Sequence, residues 1–543
     1  MNIRKQVETK VHTVLTLTNA GILRPARPDR LFHVVSALLR YGPTPAAGYA
    51  ASAARYPDET AVIDELGTLS FKDVHERTSR LASSLAAEGI EAGDGIGIMC
   101  RNHRGFVDAV VACSKLGANA LFLNTAFSGP QLADVAKREK PKALIFDQEF
   151  TEVLKDAATR RKRYIAWTEP DVETKDTLLE DLISRGDPAG VSAPDEPGKA
   201  IILTSGTTGT PKGASRGQPK SLDPAAALLS KIPLKAREKT MIAAPLFHAW
   251  GFAHFTLGMS LSSTIVLKRK FDPEATLSLT AQHECTALAV VPVMLQRILE
   301  LDPEILERYD LSAVRSVPVS GSALPGPLSE KWMDRFGENL YNLYGSTEVA
   351  WATIATPEDL RAAPGTAGRP PRGTIVKIYD EHGKPVPKVG DSGRIFVGND
   401  MQFEGYTGGG NKDVLDGLMS SGDVGHFDDE GRLFIDGRDD DMIVSGGENV
   451  FPQEVEELIS GHPDVVEVAV FGVDDEQFGQ RLKAVVVTRG KAEVSEQDIK
   501  NHVKKNLAGY KVPRDVVFMD ELPRTSTGKV LKRELRDDPD SSD

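Results

Sequence analysis

From about residue 60 to 440 the chain alternates short apolar runs with stretches of helical periodicity. KAIILTSG, TMIAAPL, STIVLK, TALAVVPV and VRSVPVSG are rich in β-branched residues and end in small or turn-forming ones, which predicts buried strands. Between them, DPEATLSLTAQH and GPLSEKWMDRFG repeat apolar positions at helical spacing, the first with Asp272 as N-cap before Pro273. This alternation predicts largely parallel sheets covered on both faces, with ligands beyond the carboxyl ends of the strands. After IDGRDDDMIVSGGENVFP the texture changes. PQEVEELISG predicts a short helix between Pro452 and Gly461, VVEVAVFGV a half-exposed strand and LKAVVVT another strand, while SEQDIKNHVKKNLAGY opens on a capping box at Ser495 and Asp498.

The first 45 residues are less patterned. In DRLFHVVSALLRY, Leu31, Val34, Val35, Leu38 and Leu39 fall at helical spacing among Arg24, Arg27, Arg30 and Arg40. An N-terminal helix is expected, with two readings: docked on the body of the protein, or in peripheral contact with anionic lipid. The expected fold class is α/β, a large N-terminal domain of parallel-rich sheets with flanking helices plus a small α+β C-terminal domain. Its divisions are an extension at 1–45, a large domain at 46–439, a small mobile domain at 440–536 and a charged tail, DDPDSSD, expected to be disordered at 537–543.

Composition narrows the function. The 543 residues exceed what one hydrophobic core serves, and 40% hydrophobic with 26% charged residues is ordinary for a globular enzyme. A net charge of −13 excludes nucleic acid as the expected partner, because duplex binding is driven by cationic side chains. Cys100, Cys113 and Cys285 are far apart in apolar contexts, which predicts buried thiols rather than a disulfide frame or a metal cluster. Glu8, Lys10 and His12 spoil a signal-peptide core, and no apolar run reaches membrane-spanning length. A cytoplasmic location is the default, with peripheral contact at the inner membrane left open through the N-terminal helix; an oligomer is left open as well.

The densest chemistry lies in LTSGTTGTPKGAS, residues 203–215. Glycines let backbone N–H groups surround a polyphosphate, small hydroxyls add donors without bulk, and Lys212 adds a cation. The Walker A pattern fails here: counting from Gly206, Pro211 stands at the second glycine and Gly213 at the Ser/Thr. SGTTGTPKG instead resembles the phosphate loop of the adenylate-forming superfamily, which includes acyl-CoA synthetases, luciferases and peptide-synthetase adenylation domains. The resemblance continues in order through PLFHAWG (245–251), SGSALP (320–325), YNLYGSTE (341–348), SSGDVGHFDDEGRLFIDGR (420–438), SGGENVFPQEVE (445–456) and PRTSTGKVLKREL (523–535). Within that superfamily the pattern looks closest to actinobacterial long-chain fatty-acid–CoA ligases.

The resemblance implies a reaction of a carboxylate with ATP, giving acyl-adenylate and pyrophosphate, followed by transfer to a thiol. Two anions must meet, so positioning and positive charge should carry the catalysis. It implies that Thr204, Ser205, Gly206, Thr207, Thr208, Gly209 and Lys212 hold the β- and γ-phosphates. Tyr344 would flank adenine, with Gly345 and Ser346 beside the nucleotide, Thr347 at the α-phosphate and Glu348 on Mg2+. Gly321, Ser322 and Ala323 would wall the adenine pocket near Asn342, Asp423 would accept from the ribose hydroxyls, and Arg438 would contact ribose or phosphate. Lys529 is the expected adenylation cation; Asp440 the hinge; Ser445, Gly446 and Gly447 the path of the coenzyme A arm.

His248, Trp250 and Gly251 would border the acyl pocket, with His248 a steric gate rather than a base. Nothing in GFAHFTLG or VAWATI offers a charge for an amino-acid substrate, so a fatty acid is expected, with an aryl acid as the alternative. Delivery to a carrier protein instead of coenzyme A stays open. Leu418 and Ser421 stand where relatives often carry Trp and Thr, and Ser421 keeps the hydroxyl.

Overall fold

The computed structural model describes every residue except 1–2, 25–26, 170–171, 205–211, 217–220, 387, 402, 408, 440, 442, 446–447, 476–478, 490–493, 526–527 and 538–543. The apolar runs become strands of two parallel-rich sheets. An eight-stranded sheet runs, in spatial order, Phe403–Tyr406, Lys212–Arg216, Ala200–Thr204, Asn119–Phe122, Gly95–Met99, Ala143–Asp147, Lys162–Trp167, Thr177–Leu178. From Ala200–Thr204 onward its pairings are parallel, while Lys212–Arg216 and Phe403–Tyr406 close the edge antiparallel. A five-stranded sheet is ordered Ala287–Ala289, Lys239–Ile242, Thr264–Leu267, Thr60–Asp64, Gly67–Ser70, antiparallel only at its last pair. Helices such as Arg104–Leu116, buried along most of its length, fill the space between them. Asp272 caps Pro273–Gln282 by accepting the Ala275 N–H at 2.7 Å, as its sequence predicts.

The parallel expectation fails over 375–438. There Ile375–Tyr379, Gly393–Gly398, Leu418–Phe427, Val414–Leu415 and Leu433–Arg438 pair antiparallel throughout. Short connections such as Asp428–Arg432 leave no room for the crossover that a parallel pair needs. A further sheet begins at Ile443–Ser445 and includes Val465–Asp475 and Gly479–Thr488. Val465–Asp475 is more buried than the half-exposed strand predicted, because helices pack on one face and Leu522 and Leu535 on the other. The capping box at Ser495 and Asp498 forms.

The N-terminal region holds two helices rather than one: α1 (Ile3–Asn19) and α2 (Pro28–Tyr41), followed by α3 (Pro45–Arg55). Leu17 and Ala20 are buried against Ala226 and Ala227, and Thr13 donates to Asp223 at 2.5 Å. All three cysteines are free and buried, and burial pushes the Cys113 and Cys285 thiols up to about 12.

Candidate functional site

The strand Leu340–Tyr344 ends at the site, and the turn behind it is set by one hydroxyl. Ser346 Oγ accepts the N–H groups of Glu348 at 3.2 Å and Val349 at 3.3 Å. The Glu348 carboxylate then accepts from Tyr406 Oη at 2.8 Å. Tyr406 stands on the sheet edge beside Lys212–Arg216, and the Lys212 ammonium lies 5.4 Å from its ring centroid. One side chain thus links the end of the phosphate loop to the expected metal ligand. Glu348 is the carboxylate here that fits a divalent cation: oxygen donor, oriented, and beside Thr347 on the cavity wall.

Asp423 and Arg438 face each other across the antiparallel pair Leu418–Phe427 and Leu433–Arg438, with Arg438 Nη1 3.5 Å from Asp423 Oδ1. Tyr344 Oη donates to Asp423 Oδ2 at 2.5 Å, and Ser421 Oγ accepts the Asp423 N–H at 3.2 Å. The retained Ser421 hydroxyl therefore orients the acid's backbone. Burial raises the Asp423 pKa, opposed by Tyr344, Arg438, Lys529 and Ser421. Between Ser421 and Asp423, Gly422 has φ +84°, and a Cβ there would lie 3.2 Å from Lys412 Nζ and 3.5 Å from Arg438 Nη2. The left-handed backbone, more than the space around it, is what favours glycine at this point.

Lys529 arrives from the C-terminal region on a tight turn: Gly528 N–H donates to the Thr525 carbonyl at 2.8 Å, and Thr525 N–H donates to the Lys529 carbonyl at 2.8 Å. Gly528 has φ +80°, and a Cβ would fall 2.2 Å from Val293 Cγ1, so only glycine lets this turn seat against the large domain. Gln296 Nε2 donates to the Val466 carbonyl at 3.2 Å across the same junction.

Glu348, Arg438, Lys412 and Lys529 open on one cavity of about 1060 Å3. Lys212, Gly321, Gly345, Ser346, Thr347, Glu348, Arg438 and Lys529 line its charged part. Ser322 and Ala323 follow Gly321 in the same loop. Tyr344 and Asp423 pair behind the wall, and Asn342 donates to the Thr366 carbonyl at 3.3 Å. The apolar part is walled by the helix Ala249–Ser260 through Phe252, Ala253, Thr256 and Leu257. His248, Trp250 and Gly251 also line it. Trp250 Nε1 donates to the Val290 carbonyl at 2.9 Å and meets His254 edge-on at 4.5 Å. Burial lowers His248 to about 4, so its imidazole is neutral near pH 7. A Cβ on Gly251 would lie 2.2 Å from the Pro245 carbonyl oxygen, so this glycine also permits the helix to start where it does.

Several expected residues lie outside the described ones: Ser205, Gly206, Thr207, Thr208 and Gly209, the hinge Asp440, and Gly446 and Gly447. Thr204 and Ser445 are described by their strand backbones alone. Sequence reasoning missed Tyr406, Lys412, Arg524 and the N-terminal wall residues Leu31, Val34 and Leu38. The tyrosine in FEGYTGG carries no motif signal. A second cluster, Cys100, His103 and Asp147, places potential metal-ligand atoms within 4.8 Å of one another. Its imidazole is already spent, however, Nε2 on Asp147 at 2.7 Å and Nδ1 accepting the Gly105 N–H at 3.0 Å.

Lys212, Asp423 and the Lys529 turn reach this region from segments far apart in the chain. Residues 49–407 match the family model of AMP-binding enzymes, and residues 454–529 match the AMP-binding enzyme C-terminal domain. The chain belongs to the AMP-binding enzyme family. It is 33% identical over 485 residues to a feruloyl-CoA synthase from Amycolatopsis sp., covering 88% of this chain and 96% of that protein. It is 30% identical over 473 residues to the long-chain-fatty-acid–CoA ligase FadD13 of Mycobacterium tuberculosis, covering 86% and 93%. ATP-bound MatB from Rhodopseudomonas palustris superposes with a TM-score of 0.78 at 28% identity, covering 90% of this AMP-binding enzyme and 98% of that chain.

Proposed function

We propose that this AMP-binding enzyme is a fatty-acid–CoA ligase. With ATP it joins a fatty acid to AMP, releasing pyrophosphate, and then transfers the acyl group to coenzyme A, releasing AMP. An adenylate-forming acid–CoA ligase is the class that the family and its relatives support. The observation that carries the fatty-acid reading is the cavity itself: charged groups around Lys529 share one space with an apolar arm that extends to Leu31, Val34 and Leu38. An apolar wall favours an alkyl chain by about 0.8 kcal/mol per buried CH2.

Each residue has a task in that reaction. Lys529 offsets the charge that develops as the carboxylate meets the α-phosphate, and Thr347, on the same cavity wall, binds that phosphate. Asp423, held by Tyr344 and Ser421, accepts from the ribose hydroxyls, and Arg438 steadies ribose or phosphate. Gly321, Ser322, Ala323, Asn342 and Tyr344 frame the base. Lys212 and the loop 204–209 hold the leaving pyrophosphate. Glu348, oriented by Tyr406, would hold Mg2+, which when bound neutralises phosphate charge. Movement about Asp440 would exchange Lys529 for the 445–447 segment, whose glycines leave room for the coenzyme A arm.

An aryl acid is the second reading, favoured by the similarity to a feruloyl-CoA synthase. Pyrophosphate release measured against fatty and aryl acids, with coenzyme A, a carrier protein or neither, tests both substrate and acceptor. Faster turnover of alkyl acids of increasing length, dependent on coenzyme A, is expected. Preference for hydroxycinnamate-type acids overturns the fatty-acid reading.

A further inference from the structure

Exposed apolar side chains concentrate in the segment that precedes the family match, which begins at residue 49. Of the seventeen exposed large hydrophobic residues among those described, nine lie before residue 40. On α2, Ala37 and Tyr41 turn inward, the latter packing on Ala46 and Ala47 of α3. Phe32, Val35 and Leu39, at spacings of three and four, form an outward stripe that is 69%, 45% and 84% exposed. One position earlier in each case, Leu31, Val34 and Leu38 form the adjacent stripe, and all three line the cavity. Leu31 and Leu38 are still about half exposed, so the apolar lining continues from the cavity onto the protein surface without a polar break.

Charge selects the occupant of that surface. Residues 1–56 carry eight Lys or Arg against Glu8 and Asp29, on a chain whose net charge is −13. Arg27, Arg30 and Arg40 flank or lie on α2, where Arg27 pairs with Asp29 and Arg30 and Arg40 donate to the Arg55 and Val191 carbonyls while keeping their charge, and Arg24 stands on the cavity wall. An apolar stripe rimmed by arginines fits the interface of an anionic bilayer. No helix among the described residues is long and apolar enough to cross one, so the contact is peripheral. We propose that α2 lies in an anionic membrane surface with Phe32, Val35 and Leu39 immersed, so that the acyl arm of the cavity opens into hydrocarbon and takes its acid from the lipid. Docking stands on the surface alone; the cargo rests on the fatty-acid reading above.

The test uses the full chain and vesicles of phosphatidylcholine with or without phosphatidylglycerol. Co-sedimentation should require the anionic lipid and fall about tenfold or more in Phe32→Asp/Leu39→Asp, which sets charges against the hydrocarbon. Neither side chain lines the cavity, so turnover of a short, water-soluble acid should match the wild type while turnover of a long-chain acid dissolved in the vesicles falls with binding. Failure of the wild type to bind anionic vesicles, or equal binding by the double variant, overturns docking. So does a wild-type dimer that the double substitution converts to monomer without any vesicle binding, because a second copy then covers the stripe. If the wild type binds vesicles and the variant does not, yet both turn over only aryl acids, docking holds and the fatty-acid cargo fails.

Discussion

The charged and apolar parts of the cavity are built in different ways. Around Asp423 and Glu348, individual hydrogen bonds decide position: Tyr344 on one acid, Tyr406 on the other, Ser346 and Ser421 beneath them. Along Ala249–Ser260, α2 and α3 the wall is mostly Ala, Leu, Phe and Val surface, and its polar groups, such as Ser52, Thr256 and the Trp250 indole, are bonded to the protein around them. The first kind of site is sensitive to single atoms, because an unpaired buried polar group costs its full desolvation. The second responds to area and volume, and so in a graded way.

The largest expected effect belongs to the charged part. Lys529→Ala should lower acyl-adenylate formation by about 10²–10³-fold, as removal of one transition-state donor does. Thioester formation from supplied acyl-adenylate should stay close to wild type; equal loss in both half-reactions would assign Lys529 a structural role. Next comes a change that should discriminate by length. Ala253→Trp shortens the apolar arm, and with each lost CH2 worth about 0.8 kcal/mol, kcat/KM for a C16 acid should fall about a hundredfold while a C4 acid is spared. A uniform fall across chain lengths would remove the helix from the acyl wall.

Tyr344→Phe probes the single-atom character directly. Losing a hydrogen bond to a charged partner should raise KM for ATP about tenfold. Burial raises the Asp423 pKa and the Tyr344 hydroxyl opposes it, so the variant should move the acid limb of kcat/KM for ATP to higher pH. An unmoved limb would separate Asp423 from nucleotide binding. The smallest effect is on stability: Trp250→Phe leaves the Val290 carbonyl without its indole donor and should cost about 1 kcal/mol by urea unfolding, with KM for ATP unchanged.

That Lys529, Glu348 and Thr347 line one cavity agrees with their singling out in the sequence, where each sits in a contiguous motif whose composition makes chemical sense. Tyr406 was not legible there, since it meets Glu348 across 58 positions and only the sheet edge brings them together. The antiparallel sheet at 375–438 was misread because a buried strand carries little mark of the direction of its neighbour. Helix α1 was missed for another reason. Val11, Thr13, Val14, Thr16 and Thr18 have modest helix propensity, and the helix is held by Leu17 and Ala20 packing against the 223–229 helix rather than by its own sequence.

The sequence by itself determined the glycine and hydroxyl composition of 203–215, the order of the motifs shared with the family, and the strand and helix alternation of the parallel sheets. These are local: glycines, hydroxyls and apolar periods act over a few residues. The tertiary structure alone decided that Tyr406 stands between Lys212 and Glu348, that Asp423 pairs with Tyr344 and Arg438, and that α2, outside the family match, walls the same cavity as Lys529. Those outcomes depend on which distant surfaces pack together, and packing is set by the summed burial of the whole chain, which no short window of residues contains.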